Sequence, residues 1–203
     1  VAASNGCQVT IVDSFPQALE NSQSKLKSIL NRLVEKGKIS KEESQHIISN
    51  IKWTSEMKEI SKSTLVIEAI VENMEIKQKL FSQMESLVAE NCILATNTSS
   101  LSVAGITSAC NNPSRILGIH FFNPVPLMKL VEVIPTEKTD DGLCQNVKSI
   151  LESWGKSVVT AKDTPGFIVN RVARPFYGEA LRIYEEGIAN FATIDWAMKE
   201  FGG

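Results

Sequence analysis

The sequence predicts an α/β protein in which a doubly wound, mostly parallel sheet is followed by the start of an all-helical segment. Short runs of β-branched and aliphatic residues alternate with longer amphipathic stretches, an order that gives parallel strands joined by right-handed crossovers. The break at Thr164–Gly166 ends this alternation, and from Phe167 onward the apolar spacing is helical only. We therefore expect a first domain over residues 1–163 and a truncated second domain over residues 164–203.

Composition excludes several classes of protein. The 203 residues carry 21 basic and 23 acidic side chains, without a basic stripe of the kind that binds nucleic acid. The longest apolar runs fall short of the roughly 20 residues of a membrane span. The four cysteines are scattered without a CxxC pair, which argues against a metal site or a disulfide framework and favours a reducing compartment.

The first residues predict half of a strand-helix-strand unit. Val1–Gly6 is typical of the last turn of a helix, and Gln8–Asp13 is a β-branched strand that ends in an acid. In dinucleotide-binding folds, an acid at this position accepts hydrogen bonds from the adenosine ribose and repels a 2′-phosphate. Asp13 therefore indicates NAD rather than NADP, although an exposed aspartate that opens a turn fits the same pattern.

Two helices are predicted next. The apolar positions of Phe15–Lys36 recur at helical spacing, and Gly37 ends that helix. Ser40 and Glu43 have the spacing of a capping box, which starts a second helix. Its expected apolar residues are Ile47, Ile48 and Ile51. The lysines of this pair suit either an anionic ligand or a solvated face.

Two further strands are predicted around a helix. Leu65–Ile70 has the composition of a buried strand, and a helix is expected to start at Val71–Asn73 with an inner stripe. That stripe comprises Leu80, Phe81, Met84, Leu87 and Val88. The strand Cys92–Thr96 then runs into the polar segment Asn97–Ser100. Parallel sheets bind ligands at the carboxyl ends of their strands, where Asp13, Glu72 and this segment lie. The polar segment Asn97–Ser100 equally fits the N-cap of a helix over residues 102–106.

A histidine and a glutamate flank a proline-rich bend within Gly118–Glu132. His120 ends one apolar strand-like run, Glu132 lies inside another, and Pro124 and Pro126 force the chain to turn between them. If the two runs pair, the carboxylate holds one imidazole nitrogen and fixes the tautomer, as a general base requires. The alternative is a surface histidine and a strand glutamate that never meet.

The remaining elements complete the first domain and open the second. Thr139–Trp154 is predicted to be a helix and Ser157–Ala161 a short strand. From Phe167 onward a helix is expected, with a kink at Pro175.

The segments HFFNPVPLMKLVEV and DTPGFIVNR, taken together, resemble those of the 3-hydroxyacyl-CoA dehydrogenases. The resemblance runs from Val1 to Gly203. It implies a Rossmann-type NAD-binding domain followed by a helical domain that forms a homodimer. It also implies an NAD-dependent enzyme of fatty-acid or related acyl-CoA degradation, which oxidises the 3-hydroxyl of a (3S)-3-hydroxyacyl-CoA to a 3-oxoacyl-CoA.

The resemblance also implies roles for individual residues. His120 corresponds to the general base, Glu132 to its orienting partner, and Ser99 and Asn170 to donors to the substrate oxygen. The implied NAD-binding positions are Asp13, Ala69, Glu72, Lys77, Asn97 and Asn123. Lys36 corresponds to a lysine that contacts the CoA phosphates. Asn170 also fits a helix cap.

The sequence departs from the family pattern at both ends. The family begins with a strand and a GxGxxG loop, whereas this sequence opens inside the helix that follows, so we expect an internal fragment that is inactive alone. Two other interpretations stay open, a module of a multifunctional fatty-acid oxidation protein and a crystallin-like structural relative. We expect a cytoplasmic location in a bacterium, or the mitochondrial matrix in a eukaryote.

Overall fold

A computed structural model describes residues 1–202, which form two compact units that divide between Asp163 and Thr164. The division falls at the Thr164–Gly166 break. Within the described residues, the first unit holds every strand and five α-helices, and the second holds two helices. The two units are therefore an α/β body and a helical body.

The strands are β1 (Val9–Val12), β2 (Ile51–Thr54), β3 (Leu65–Glu68), β4 (Ile93–Thr96), β5 (Ile116–Phe121), β6 (Leu130–Ile134) and β7 (Ser157–Thr160). The helices are α1 (Pro16–Glu35), α2 (Lys41–Ser49), α3 (Met74–Leu87), α4 (Val103–Thr107), α5 (Asp141–Ser153), α6 (Val169–Glu185) and α7 (Phe191–Phe201). Single 3-10 segments occur at Ala3–Asn5, Met57–Lys62 and Pro113–Arg115.

The strands of the described residues form two sheets. β1 pairs with β2 in parallel, and the other five follow the order β3-β4-β5-β6-β7. Within the larger sheet every neighbouring pair is parallel except β5 and β6, which are antiparallel. The predicted α/β class with a mostly parallel sheet is confirmed.

Helices cover both faces of the larger sheet, as the side chains of β4 show. Successive residues of a strand point to opposite faces. Leu94 packs with Phe81 of α3 and Ile106 of α4, while its neighbour Ala95 packs with Leu151 of α5 on the other face. All five of these side chains are fully buried. The sheet is therefore doubly wound.

The predicted capping box is confirmed, whereas the predicted extent of the helix that it starts is wrong. Ser40 and Glu43 form the capping box at the start of α2, with both reciprocal hydrogen bonds present. Ile51, however, is not part of this helix, because it is the first residue of β2 and lies opposite Val9 of β1. A four-residue strand that directly follows a helix has too little periodicity to be recognised, so pairing with β1 decides its conformation.

The predicted helix after β3 starts later than expected. Val71–Asn73 precedes the helix, and the Asn73 side chain caps α3 by accepting a hydrogen bond from the Ile76 amide at 3.1 Å. Leu87, predicted to face inward, is 37% exposed at the end of α3. The rest of the stripe is buried or half-buried.

The second unit starts with a turn that requires glycine. Gly166 has a φ of +79°, and a Cβ there would lie 3.0 Å from the backbone nitrogen of Arg171. α6 contains Pro175 in its interior, and α7 is capped by Asn190, which accepts a hydrogen bond from the Thr193 amide. Tyr184 and Phe191 stack with ring centroids 3.9 Å apart.

Candidate active site

The two strands that flank the proline-rich bend bring His120 and Glu132 together. β5 and β6 are antiparallel, and their register places His120 directly opposite Glu132. The Nδ1 atom of His120 lies 2.7 Å from Oε2 of Glu132. The histidine is 5% exposed and the glutamate is fully buried. The predicted pairing is confirmed, and the alternative that the two residues never meet is wrong.

The contact with Glu132 defines the tautomer of His120. A carboxylate only accepts hydrogen bonds, so Nδ1 carries the hydrogen and Nε2 carries the lone pair. The ring of Phe122 lies against the imidazole, with centroids 4.6 Å apart and the planes inclined by 57°. The glutamate and the aromatic ring together hold the imidazole in one orientation.

Asn97 joins the carboxyl ends of three neighbouring strands. It follows β4, its backbone amide donates to the Glu68 carbonyl at the end of β3, and its Oδ1 accepts from the Phe121 amide at the end of β5. The alternative role of the segment Asn97–Ser100 as a helix cap is wrong. α4 is capped by Ser102, whose hydroxyl oxygen accepts from the Gly105 amide at 3.1 Å.

Ser99 is exposed in the loop after β4. Glu72, which lies between β3 and α3, forms hydrogen bonds with this loop. Oε1 of Glu72 accepts hydrogen bonds from the amides of Ser99 and Ser100 at 3.0 and 3.1 Å and from the hydroxyls of Thr98 and Ser100. Burial opposes ionisation of Glu72, but these hydrogen bonds and the nearby Lys77 ammonium outweigh it. They lower the pKa of Glu72 from 4.5 to about 2.

The lowered pKa of Glu72 predicts a pH-dependent contribution to stability. The unfolded chain takes up the Glu72 proton near pH 4.5, whereas the folded protein does so only near pH 2. The stabilisation is therefore fully present above pH 4.5 and is lost as the pH falls to about 2. We expect the difference in the free energy of unfolding between the wild type and Glu72→Gln to shrink over this range, measured by urea denaturation. Glu75→Gln, at an exposed glutamate of α3, is the control, and a difference that stays constant with pH would contradict the prediction.

Lys77, predicted to line the cofactor cleft, is 1% exposed. Its Nζ lies 2.6 Å from Oε1 of Glu68 and 3.3 Å from Oε2 of Glu72. The ammonium is thus held between two carboxylates. Glu68 was missed by the sequence reasoning, although a lone acid inside the apolar run Leu65–Ile70 is a signal that could have singled it out.

The other predicted cofactor residues lie at strand ends. Ala69 is exposed directly after β3, and Asn123 is exposed directly before Pro124 in the bend. Asp13 is half-buried after β1, and its Oδ1 accepts from the Phe15 amide at 2.9 Å, as in an aspartate that opens a turn. The small side chain of Ala69 leaves space for a dinucleotide beside the sheet. The amide of Asn123 and the carboxylate of Asp13 are groups that can form hydrogen bonds with it.

The two remaining predicted substrate residues belong to the helical segments. Lys36 is exposed at the C-cap of α1, where its charge also favours the helix terminus. Asn170 belongs to the second unit, as the second residue of α6. The N-cap of α6 is Ile168, so the alternative role of Asn170 as a helix cap is wrong.

Asp163, the last residue of the first unit, is a second residue that sequence reasoning missed. Its carboxylate accepts hydrogen bonds from the amides of Val103 and Ala104 and from the hydroxyl of Ser102, at 2.8 to 2.9 Å. Asp163 thus fixes the start of α4, the helix that follows the loop in which Ser99 lies. No local pattern links residues about sixty positions apart.

The part of the chain that the structure describes contains neither a metal-binding cluster nor a membrane-spanning helix. No group of three or more histidine, cysteine, aspartate or glutamate side chains over residues 1–202 is arranged to hold a metal ion. None of the described helices is both long and apolar enough to cross a membrane.

Comparisons with known proteins bear on the whole chain. Residues 1–164 match the family model of the 3-hydroxyacyl-CoA dehydrogenase NAD-binding domain, and residues 166–203 match that of the C-terminal domain. The chain is 39% identical over 203 residues to an Escherichia coli protein named 3-hydroxyadipyl-CoA dehydrogenase, covering 100% of this chain and 43% of that protein. It is 40% identical over 205 residues to human mitochondrial hydroxyacyl-coenzyme A dehydrogenase, covering 98% of this chain and 65% of that protein.

A solved structure agrees with these matches. The crystal structure of 3-hydroxybutyryl-CoA dehydrogenase from Escherichia coli K12 has a TM-score of 0.95 and 39% identity, over 98% of this chain and 42% of that chain. The present chain thus spans between about two fifths and two thirds of the length of these relatives. From the two family models and the Rossmann-type fold, we conclude that the chain belongs to the 3-hydroxyacyl-CoA dehydrogenase family and carries its NAD-binding domain.

Proposed function

We propose that the protein containing this chain oxidises the 3-hydroxyl of a (3S)-3-hydroxyacyl-CoA with NAD, giving a 3-oxoacyl-CoA in acyl-CoA degradation. The observation that carries the proposal is the buried contact of 2.7 Å between His120 and Glu132 at the carboxyl end of β5. Ligands of parallel sheets bind at this edge. The names of the relatives support the substrate class, since each names a dehydrogenase of a hydroxyacyl-coenzyme A thioester.

The pair is suited to general-base catalysis of alcohol oxidation. Nε2 of His120 takes the proton of the 3-hydroxyl as the C3–H bond releases its hydrogen with the electron pair, and a carbonyl forms at C3. When bound, NAD supplies the acceptor for that hydride. Glu132 stabilises the imidazolium that results and holds the ring in one orientation.

The other proposed contacts follow the strand ends. We assign Ser99 to hydrogen bonding with the substrate oxygen, and Asp13 to the adenosine ribose of NAD. Asn170 as a second donor to the substrate oxygen and Lys36 as a contact for the CoA phosphates stay predictions. Dimerisation through the helical domain and the cytoplasmic or mitochondrial location stay predictions as well.

The test is an assay of NADH formation by the protein in its full natural length. Purified protein is mixed with NAD and a series of 3-hydroxyacyl-CoA thioesters of increasing chain length, and NADP replaces NAD in a parallel arm. We expect turnover with at least one thioester and a preference for NAD. A folded protein that reduces NAD with none of the thioesters would contradict the proposed function.

A further inference from the structure

One oxygen of Glu72 accepts hydrogen bonds from the loop after β4, defined here as the Ser99 loop (residues 97–101). Oε1 accepts hydrogen bonds from the backbone amides of Ser99 and Ser100 and from the hydroxyls of Thr98 and Ser100. These donors lie 26 to 28 residues away in the sequence. Glu72, in the segment between β3 and α3, therefore organises the loop that follows β4.

The other oxygen of Glu72 is held from inside the protein. Lys77 lies 3.3 Å from Oε2 of Glu72 and 2.6 Å from Oε1 of Glu68. Glu68 in turn accepts from the Thr96 hydroxyl at 2.7 Å and the Ile70 amide at 2.6 Å. Since a buried ammonium between two carboxylates has little freedom to move, Glu72 is fixed at both of its oxygens.

Thr98 extends this anchoring through the loop. Its hydroxyl oxygen accepts from the Leu101 amide at 3.0 Å, and its own amide donates to the Thr96 hydroxyl at 3.2 Å. Thr98 is 1% exposed, whereas Ser99 beside it is exposed. The amides from Thr98 to Leu101 thus all donate to Glu72 or to threonine hydroxyls, and Ser99 projects from an anchored backbone.

We propose that Glu72, locked by Lys77, is a positioning residue that holds the Ser99 loop in its reactive shape. This inference rests on the proposed function, because Ser99 acts there on the substrate oxygen. Glu72 acts through the backbone of Ser99 and not by contact with the reacting atoms. Displacing a substrate-positioning group by about 1 Å costs up to ~10²-fold in rate.

The proposal differs from a direct contact between Glu72 and NAD in what a substitution changes. Loss of a direct contact raises the KM for NAD with kcat unchanged, because it removes binding that the ground state and the transition state share. Loss of loop positioning lowers kcat and leaves the KM for NAD nearly constant. It also exposes the loop amides to solvent.

The test compares Glu72→Gln and Thr98→Val in the protein of full natural length. We expect each to lower kcat roughly 10-fold, with the KM for NAD within about two-fold of the wild type. Amide hydrogen exchange in residues 98–101 should become faster in both variants. The double variant should show little more loss than either single one, since the two side chains serve one network. Glu75→Gln, on the same helix as Lys77, should match the wild type.

Two results would overturn the inference. One is unchanged exchange in residues 98–101 together with unchanged kcat, and the other is a raised KM for NAD with normal kcat and normal exchange. If Glu72→Gln does not fold, Thr98→Val alone provides the same two readouts, because it leaves the ion pairs intact. If the wild type lacks dehydrogenase activity, the proposed function fails, and hydrogen exchange still decides whether Glu72 anchors the loop.

Discussion

Replacing His120 with glutamine is expected to lower kcat by ~10²–10⁴-fold, the usual contribution of a positioned general base. Glutamine retains hydrogen-bonding groups near Glu132 but has no nitrogen that accepts a proton near neutral pH. The 3-hydroxyl then keeps its proton as the hydride leaves, so the transition state loses its main source of negative charge at oxygen. Steady-state assays with NAD and the preferred thioester measure the change.

The chain offers a matched control for this substitution. His46 is the other of only two histidines, and it lies exposed on α2. His46→Gln makes the same chemical change away from the strand ends, so we expect its kcat to equal that of the wild type. A His120→Gln variant that is folded and stays within a few-fold of wild-type kcat would remove His120 from the role of base.

The hairpin at the candidate site was predictable because its signals are local. His120 and Glu132 are twelve residues apart, on two apolar runs separated by prolines. Antiparallel pairing of such runs leaves few registers, and a slip by one residue would place His120 and Glu132 on opposite faces of the sheet. The sequence therefore suggests this pairing, while the structure decides between it and the alternative in which the two residues never meet.

The loop anchoring was not predictable because it depends on contacts between distant segments. The sequence places Glu72 at a ligand-binding strand edge, and the family resemblance places Lys77 among the NAD-binding positions. Nothing in the local sequence shows that Lys77 turns inward to Glu68, nine residues before it, or that Thr98 donates to Glu72. Such networks form only once parallel strands β3 and β4 bring their carboxyl ends side by side.

The boundary between the two units has one feature that the local sequence predicts and one that depends on a distant contact. The Thr164–Gly166 break was visible in the sequence, because proline and glycine separate the last predicted strand from a purely helical pattern. The role of Asp163 was not, since its three hydrogen bonds reach a helix sixty residues earlier in the chain. A chain break marked by proline and glycine can be recognised from neighbouring residues alone. A helix cap supplied by a distant carboxylate is a tertiary contact and cannot.

Replacing Glu132 with glutamine is expected to lower kcat by about 10²-fold while the protein stays folded. The side chain keeps its size in a fully buried position, so packing on β6 is preserved. The amide, however, presents an N–H₂ as well as an oxygen to Nδ1, and it lacks the charge that stabilises the imidazolium. When the N–H₂ donates, the hydrogen of the ring moves to Nε2, and His120 no longer accepts a proton there.

A positioning role for Glu132 predicts a particular set of measurements. We expect kcat to fall with the KM values for NAD and the thioester nearly unchanged, because the fully buried carboxylate is out of reach of either ligand. Glu132→Asp keeps the charge on a side chain one methylene shorter, so its kcat should lie between those of Glu132→Gln and the wild type. Glu152→Gln, at an exposed position of α5, should be indistinguishable from the wild type. Equal activity of Glu132→Gln and the wild type would show that the buried carboxylate stabilises the hairpin without orienting the base.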